Sequence, residues 1–168
     1  MKKLTCIIAA VALCHLAAAQ TSPQALLEKC RDYCVCLDYS FTIKGELPVN
    51  GSGNAVIQGE AFRTSGNGLT VCCNGTTRWT VDENAKEVYI ENVAPGEEAG
   101  NIIRGYLKDI VNYSSGKDSL KGVVKRYGNT VEVNLQNIRI SEPGDDMSRF
   151  TFDTGALDPA IWIVNDLR

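Results

Sequence analysis

The chain has 168 residues, of which 44% are hydrophobic and 22% are charged, and its 17 basic side chains are outnumbered by 20 acidic ones. With a net charge of −3, the chain lacks the basic stripe with which proteins bind nucleic acid. The acidic balance also disfavours adhesion to an anionic membrane surface.

The first 19 residues are typical of a cleavable signal peptide. Lys2 and Lys3 precede an apolar segment over residues 4–18 that is short for a membrane span, and an alanine run at 17–19 offers a cleavage site. Cleavage would lower the net charge by two, to −5, and would remove His15, the only histidine. We therefore predict a periplasmic protein with one domain over residues 20–168, no stable membrane insertion, and no histidine-based hydrolase or zinc chemistry.

The first half of this domain is predicted to be a helix followed by an antiparallel meander. Ser22 and Pro23 favour a helix start, and apolar residues at three- and four-residue spacing extend the helix over 23–34. Alternating polarity over 39–49 indicates a half-buried strand, and the glycine- and asparagine-rich segment 50–54 predicts a turn. Further strands are predicted over 54–64, 69–73, 76–82 and 87–93, joined by turns at 66–68, 74–75 and 83–86.

The second half begins with a change of period after Pro95. An apolar stripe of six residues predicts a second helix over 97–113, and strands are expected again over 120–127 and 130–140. Two apolar pieces follow, at 150–152 and 161–164. The sequence therefore predicts one α+β domain, mainly β, in which two helices cover the apolar face of an antiparallel sheet.

Several short segments resemble the LolA-like family of periplasmic carriers of outer-membrane lipoproteins. Residues 73–82 (CNGTTRWTVD) followed by 86–90 (KEVYI) resemble the family's hairpin, and 59–63 (GEAFR) and 150–153 (FTFD) agree with it in order and spacing. Asn74 and Thr76 replace an aspartate and a lysine that are common in that hairpin. No arginine-proline pair precedes Phe62, so an arginine lock of the family's kind must be built differently here.

The resemblance implies a half-open antiparallel β-barrel with short helices as a lid, which binds the acyl chains of lipoproteins and ferries them toward the outer membrane. A monomer is expected, with an inner-membrane releasing complex and an outer-membrane acceptor as further partners. The implied acyl-chain cavity comprises Tyr39, Phe41, Ile43, Leu47, Phe62, Val71, Trp79, Val81, Val88 and Ile90. The implied lid helix carries Ile102, Ile103, Tyr106, Leu107 and Ile110. For each residue of these sets, ordinary core packing is the alternative.

An acyl carrier needs a device that weakens its own binding. Burying one chain of about 16 carbons is worth roughly 12 kcal/mol, at about 0.8 kcal/mol for each methylene. A segment that fills the empty cavity and must be displaced on loading would lower this affinity to a transferable value. The apolar stripe from Ile102 to Val111 is the predicted plug.

Two other functions remain open at the level of sequence. The same domain could sense lipid or lipoprotein without transporting it. A thiol redox protein is the second alternative, because five cysteines remain after cleavage and could form a disulfide, namely Cys30, Cys34, Cys36, Cys72 and Cys73. Cys30 and Cys34 are predicted to share a helix face, whereas the adjacent pair at 72–73 should point to opposite faces of a strand. The neighbouring acidic residues all fall in turns, so we expect no enzyme activity, no cofactor and no metal.

Overall fold

The computed structural model describes residues 21–45, 48–94, 100–126 and 128–168. The predicted signal peptide lies outside the described residues. Two α-helices, ten strands and two short 3₁₀ turns make up the described fold. The helices are α1 (Pro23–Asp32) and α2 (Ile102–Asp109). The strands are β1 (Cys34–Lys44), β2 (Val49–Gln58), β3 (Ala61–Gly66), β4 (Leu69–Cys73), β5 (Thr77–Asp82), β6 (Glu87–Asn92), β7 (Ile110–Ser115), β8 (Leu120–Arg126), β9 (Asn129–Ser141) and β10 (Ile163–Asp166).

All ten strands belong to one open sheet in the order β10-β6-β5-β4-β3-β2-β1-β9-β8-β7. Strands β1 to β6 form the predicted up-and-down meander, and the hairpins of β7, β8 and β9 extend the sheet from the other side of β1. The prediction of a mainly β domain with two helices is thus confirmed, and all neighbouring strands of the described sheet except β10 and β6 are antiparallel. The first strand is central because both of its edges are paired, once with β2 and once with β9.

The first helix begins where the sequence predicts it but ends earlier. The Ser22 hydroxyl accepts a hydrogen bond from the Ala25 amide, and Pro23 occupies the first helical turn. The chain becomes extended at Tyr33, and Cys34 is already the first residue of β1. The predicted helical continuation to residue 34 is wrong because pairing with β2 and β9 begins at that residue.

The turn predicted at 50–54 is also wrong, since this segment lies inside β2. Ile43 of β1 already pairs with Val49, so the chain reverses between Gly45 and Pro48. Gly51 and Gly53 are strand residues that allow close packing. The Phe41 ring occupies the space above Gly51, while a Cβ at Gly53 would collide with the backbone of Ser65 and Gly66 on β3. The predicted strand 54–64 is two strands, because the chain turns at Gly59, which has a positive φ of 58°.

The second helix is shorter than the predicted 97–113. Asn101 caps its start by accepting a hydrogen bond from the Arg104 amide, and the helix ends at Asp109. Residues 110–115 form β7, because β-branched and aromatic side chains there pair with β8 around a β-bulge. Val111, expected in the buried stripe, is 59% exposed. Predicted residues 97–99 lie outside the described residues.

The C-terminal segment crosses the sheet on the face opposite to the helices. It contains the 3₁₀ turns Ser148–Phe150 and Thr154–Ala156 and then returns as β10, which pairs with β6 in parallel. A parallel pair needs a long crossover, and the chain between residues 93 and 162 provides it. We call the face that carries α1 and α2 the helix face, and the face crossed by residues 142–162 the tail face.

Candidate functional site

The helix face bears the larger apolar cluster, which lies between the two helices and the middle of the sheet. Strand register brings Phe41, Gly51 and Val133 into one row, with Gly122 beside Val133. Neighbouring rows add apolar side chains from β1, β2, β8 and β9. The buried strand members of the cluster are Val35, Leu37, Ala55, Ile57, Phe62, Cys73, Leu120, Val124, Val131, Val133 and Leu135.

Helix α2 fills this apolar space with three side chains. Ile103, Tyr106 and Leu107 are all buried in the same cluster, and the Tyr106 ring lies 6.1 Å from the Phe41 ring, centroid to centroid. Leu26 and Cys30 of α1 complete the cover. Of the predicted lid residues, Ile102 faces outward with 36% exposure, and Ile110 packs against the cluster from β7 rather than from the helix.

Half of the predicted cavity residues lie beneath the helices. Phe62 is buried in the cluster, and Tyr39, Phe41, Ile43 and Val71 pack against it while remaining partly exposed. Leu47 lies outside the described residues. These five side chains come from β1, β3 and β4, and together with Ala55 and Ile57 of the intervening strand β2 they form an apolar strip on the helix face.

Four predicted cavity residues lie on the other face of the sheet, so their predicted membership of the same cavity is wrong. Trp79, Val81, Val88 and Ile90 form a second cluster on the tail face. They are covered by side chains of the C-terminal segment, Phe152, Leu157 and Trp162. Side chains alternate between the two faces along a strand. Cys73 of β4 pairs with Arg78 of β5, so the odd positions of β4 and the even positions of β5 lie on the helix face. Trp79 and Val81, at odd positions of β5, therefore lie on the tail face.

Polar side chains bound the apolar strip at β5 and β6. On the helix face, Arg78 donates two hydrogen bonds to one carboxylate oxygen of Glu91, over 2.7 Å from Nη2 and 3.1 Å from Nε. In the next row the Tyr89 hydroxyl donates to Glu87. The surface that could contact a hydrocarbon chain therefore ends at β4, and the two last meander strands supply a polar rim.

One largely buried arginine of α2 connects this helix to α1 and to the turn between β2 and β3. The Arg104 side chain is 12% exposed and donates from Nη2 to the Gly59 carbonyl, and over 3.4 Å to the Cys30 carbonyl. Its Nη1 is 3.4 Å from Glu60, whose side chain is 66% exposed. Arg104 thus ties α2 to the end of α1 and to the β2–β3 turn. We call this set of contacts the Arg104 latch.

Arg104 is not among the residues predicted from the sequence, although its position in the helix is a signal. A basic side chain in the first turn of a helix is at the unfavourable end of the helix dipole, so its position needs a tertiary reason. Within the described residues, the Arg104 Nε atom is buried without a hydrogen-bond partner. Any movement of α2 that exposed this edge would let water satisfy that group.

Two surface depressions flank the site. A cleft of about 320 Å³ opens between the helices, lined by Leu27 and Arg104 among others, and it lies directly over the latch. A groove of about 550 Å³ crosses β1, β7, β8 and β9, where Ser40, Lys121, Glu132 and Asn134 contribute polar walls. Phe41, Val123 and Val133 also line this groove. Its charged walls at Lys121 and Glu132 make it less suited to a hydrocarbon chain than the apolar strip under α2, which is the stronger candidate site.

The five described cysteines are free thiols and divide between the two faces of the sheet. Cys30 and Cys73 lie in the helix-face cluster, whereas Cys34, Cys36 and Cys72 point to the tail face. The predicted shared helix face of Cys30 and Cys34 is therefore wrong. Burial raises the pKa of the Cys30 thiol to about 12 against the opposing effect of Arg104, and burial raises that of Cys72 to about 11. Both are protonated and unreactive at neutral pH.

Among residues 21–45, 48–94, 100–126 and 128–168, no helix has the length and apolar character of a membrane span. The same residues include no group of three or more acidic, cysteine or histidine side chains placed to hold a metal ion. No protein-family model and no curated protein matches this sequence.

Proposed function

We propose that this protein is a periplasmic carrier that binds the acyl chains of lipoproteins on the helix face of its sheet. In the proposed loaded state α2 leaves the apolar strip, and the sheet curls around the acyl chain as the half-open barrel of the LolA-like family. Lipoproteins would be received from an inner-membrane releasing complex and handed to an outer-membrane acceptor. The single observation that carries this proposal is the way α2 is held.

Helix α2 combines an apolar contact surface with a polar latch. Only three of its eight residues are large apolar side chains buried against the sheet, Ile103, Tyr106 and Leu107. Arg104 also attaches the helix, through hydrogen bonds to backbone carbonyls that water could satisfy instead. Detaching this helix exposes three buried apolar side chains, at a cost of roughly 1.5 to 3 kcal/mol each, whereas its polar groups can be resolvated by water.

This arrangement meets the energetic need of a carrier. An acyl chain entering the strip gains roughly 0.8 kcal/mol for each methylene that it buries. It must first displace the three side chains of α2 and break the latch, and this cost is subtracted from the gross affinity. The remaining affinity is then low enough for release to an acceptor.

The proposal is tested with a fluorescent diacylated lipopeptide and the variant Arg104→Met. Loss of charged hydrogen bonds should shift α2 toward the detached state by about 1.4 to 3 kcal/mol, so the probe should bind at least about tenfold more tightly. Arg31→Met is the matched control, because Arg31 is exposed and its ion pair is with its neighbour Asp32. Unchanged or weaker binding by a folded Arg104→Met protein contradicts the role of the plug.

Hydrogen exchange on the unaltered protein provides a measurement that does not depend on any variant folding. Adding the lipopeptide should speed amide exchange in residues 102–109 while β1 keeps its protection. Exchange in α2 that is as slow as in β1 and insensitive to the probe would refute the movable lid. Passage of the bound lipopeptide to acceptor vesicles separates a carrier from a domain that only senses lipid.

A further inference from the structure

Strand β7 is the last strand at one side of the sheet, and no described strand pairs with its outer edge. Its six residues include no charged side chain and no proline, the residues with which natural edge strands prevent further pairing. Val111 and Tyr113 are 59% and 53% exposed there. The opposite edge differs, because β10 ends at Asp166, whose carboxylate is ion-paired with Arg168 at 2.7 Å. The outer edge of β7 is therefore the better site for the addition of another strand.

The hydrogen bonds of the β7–β8 hairpin identify the backbone groups of β7 that remain open. The Gly116 amide donates to the Ser119 carbonyl at 2.9 Å, so Gly116 turns its backbone groups toward β8. These groups alternate between the two edges along a strand, so Tyr113 and Ser115 turn their N–H and C=O groups to the outer edge. The alternation is regular from Asn112 onward, because the β-bulge precedes that residue. A further strand can therefore pair here without breaking a hydrogen bond to β8.

The edge of β7 is complementary to itself in one antiparallel register. An added strand must oppose outward-facing residues with outward-facing residues. A second copy of β7 that is centred on Tyr113 fulfils this, because Tyr113 then exchanges two backbone hydrogen bonds with its own counterpart. Tyr113 pairs with Gly122 of β8 and so shares its face of the sheet. The two tyrosine rings would lie next to each other on that face, and aromatic pairs across neighbouring strands stabilise a sheet.

Charged residues flank β7 in an order that fits this register. Asp109 stands four residues before Tyr113, and Lys117 stands four residues after it. An antiparallel copy centred on Tyr113 therefore brings Asp109 of each chain toward Lys117 of the other, once at each end of the paired segment. A shift of the register would separate these opposite charges. Exposed charge pairs at the rim of an interface contribute little to affinity, but they select the register.

We propose that two copies of this chain associate by antiparallel pairing of their β7 strands about a twofold axis at Tyr113. The same edge is used on both copies, so the assembly closes at two subunits. It joins two ten-stranded sheets edge to edge and does not use the apolar strip under α2. The dimer is therefore independent of the proposed acyl binding, and it departs from the monomer that the family resemblance implies.

Sedimentation equilibrium of the purified, lipid-free protein tests the dimer. The expected mass is twice that of one chain, and it should fall toward that of one chain on dilution. Tyr113→Lys should raise the dissociation constant at least about tenfold, because it places two like charges side by side across the axis. Val164→Lys, at an exposed position of the opposite edge, is the matched control and should leave the constant unchanged. A monomer at every concentration, equal weakening by both variants, or growth beyond two subunits would overturn the proposal.

A covalent cross-link locates the axis. Opposed residues of a hydrogen-bonded antiparallel pair have Cα atoms about 5.5 Å apart, a distance that a disulfide spans. Under mild oxidation Tyr113→Cys should therefore form a covalent dimer in which the tryptic peptide over residues 109–117 is joined to its own copy. This peptide contains no native cysteine, so the native thiols cannot yield the same product. Val164→Cys, the control on the other edge, should not form a dimer through its new thiol. Absence of the joined peptide from oxidised Tyr113→Cys would contradict the assigned axis.

Discussion

The Phe41 ring lies directly over Gly51, its register partner across β1 and β2. A Cβ on Gly51 would overlap the ring, so the absence of a side chain leaves room for the ring over the neighbouring strand, where its centroid is 6.1 Å from that of Tyr106 in α2. This contact explains why a glycine-rich segment that is typical of a turn is part of a strand. It also places an aromatic wall at the centre of the candidate acyl site.

Gly51→Ala should destabilise the protein by about 1 to 3 kcal/mol, the usual cost of overpacking, because Phe41 must leave its position. Urea unfolding followed by circular dichroism measures the loss. Gly45→Ala is the matched control, since the nearest atom to its added methyl group is Asn129 Oδ1 at 3.8 Å. Equal stability of the two variants would show that the Phe41 ring has room to shift.

A brominated acyl chain should distinguish the two faces of the sheet by fluorescence quenching. Both tryptophans, Trp79 and Trp162, belong to the tail-face cluster, so their emission should be unaffected by a chain bound under α2. Tyr39→Trp places a reporter on the helix face, and in that variant the brominated chain should quench a distinct part of the emission. Quenching of the two native tryptophans instead would assign the acyl chain to the tail face.

Stability should fall as pH rises above 9, with a contribution from Cys30. The pKa of this thiol is 9.0 when it is exposed, as in the unfolded chain, and burial raises it to about 12 in the folded protein. The unfolded chain therefore releases this proton first, and ionisation favours unfolding between those two values. One thiol contributes a slope of at most about 1.4 kcal/mol per pH unit. Urea unfolding at about pH 8 and about pH 10.5 should show a smaller difference for Cys30→Ala than for the unaltered protein. An identical pH dependence in Cys30→Ala would mean that this thiol does not resist ionisation.

The tail should detach more readily when Gln58 is removed. Its Nε2 donates to the Gly144 carbonyl at 2.7 Å, and its Oε1 accepts from the Gly144 amide at 3.1 Å. Gln58→Ala removes both bonds, so about 1 to 2 kcal/mol of docking energy should be lost and limited proteolysis within residues 142–157 should accelerate. Gln136→Ala, at an exposed position of β9, serves as the control. Equal cleavage rates would show that the apolar cluster alone holds the tail.

Local pattern was sufficient to predict much of the chain's organisation. The start of α1, strands β4 and β6, and the Asn74–Gly75 turn were all predictable, because each depends on contacts within a few residues. In that turn the Asn74 Oδ1 atom accepts from the Thr76 and Thr77 amides, which is the local hydrogen bonding that asparagine provides. Alternation of polarity also predicted that most strands would have one buried face.

Tertiary structure decided which face of each strand meets which partner. Trp79 and Phe62 are both apolar strand residues, yet strand register sends them to opposite faces, and no periodicity in one strand reveals its phase relative to a distant strand. The same reason explains Gly51, whose role depends on Phe41, and Arg104, whose partners lie 45 and 74 residues away. Interactions between neighbours in sequence can be inferred from composition and spacing. Burial and the contacts of Arg104 depend on the register between strands that are distant in sequence.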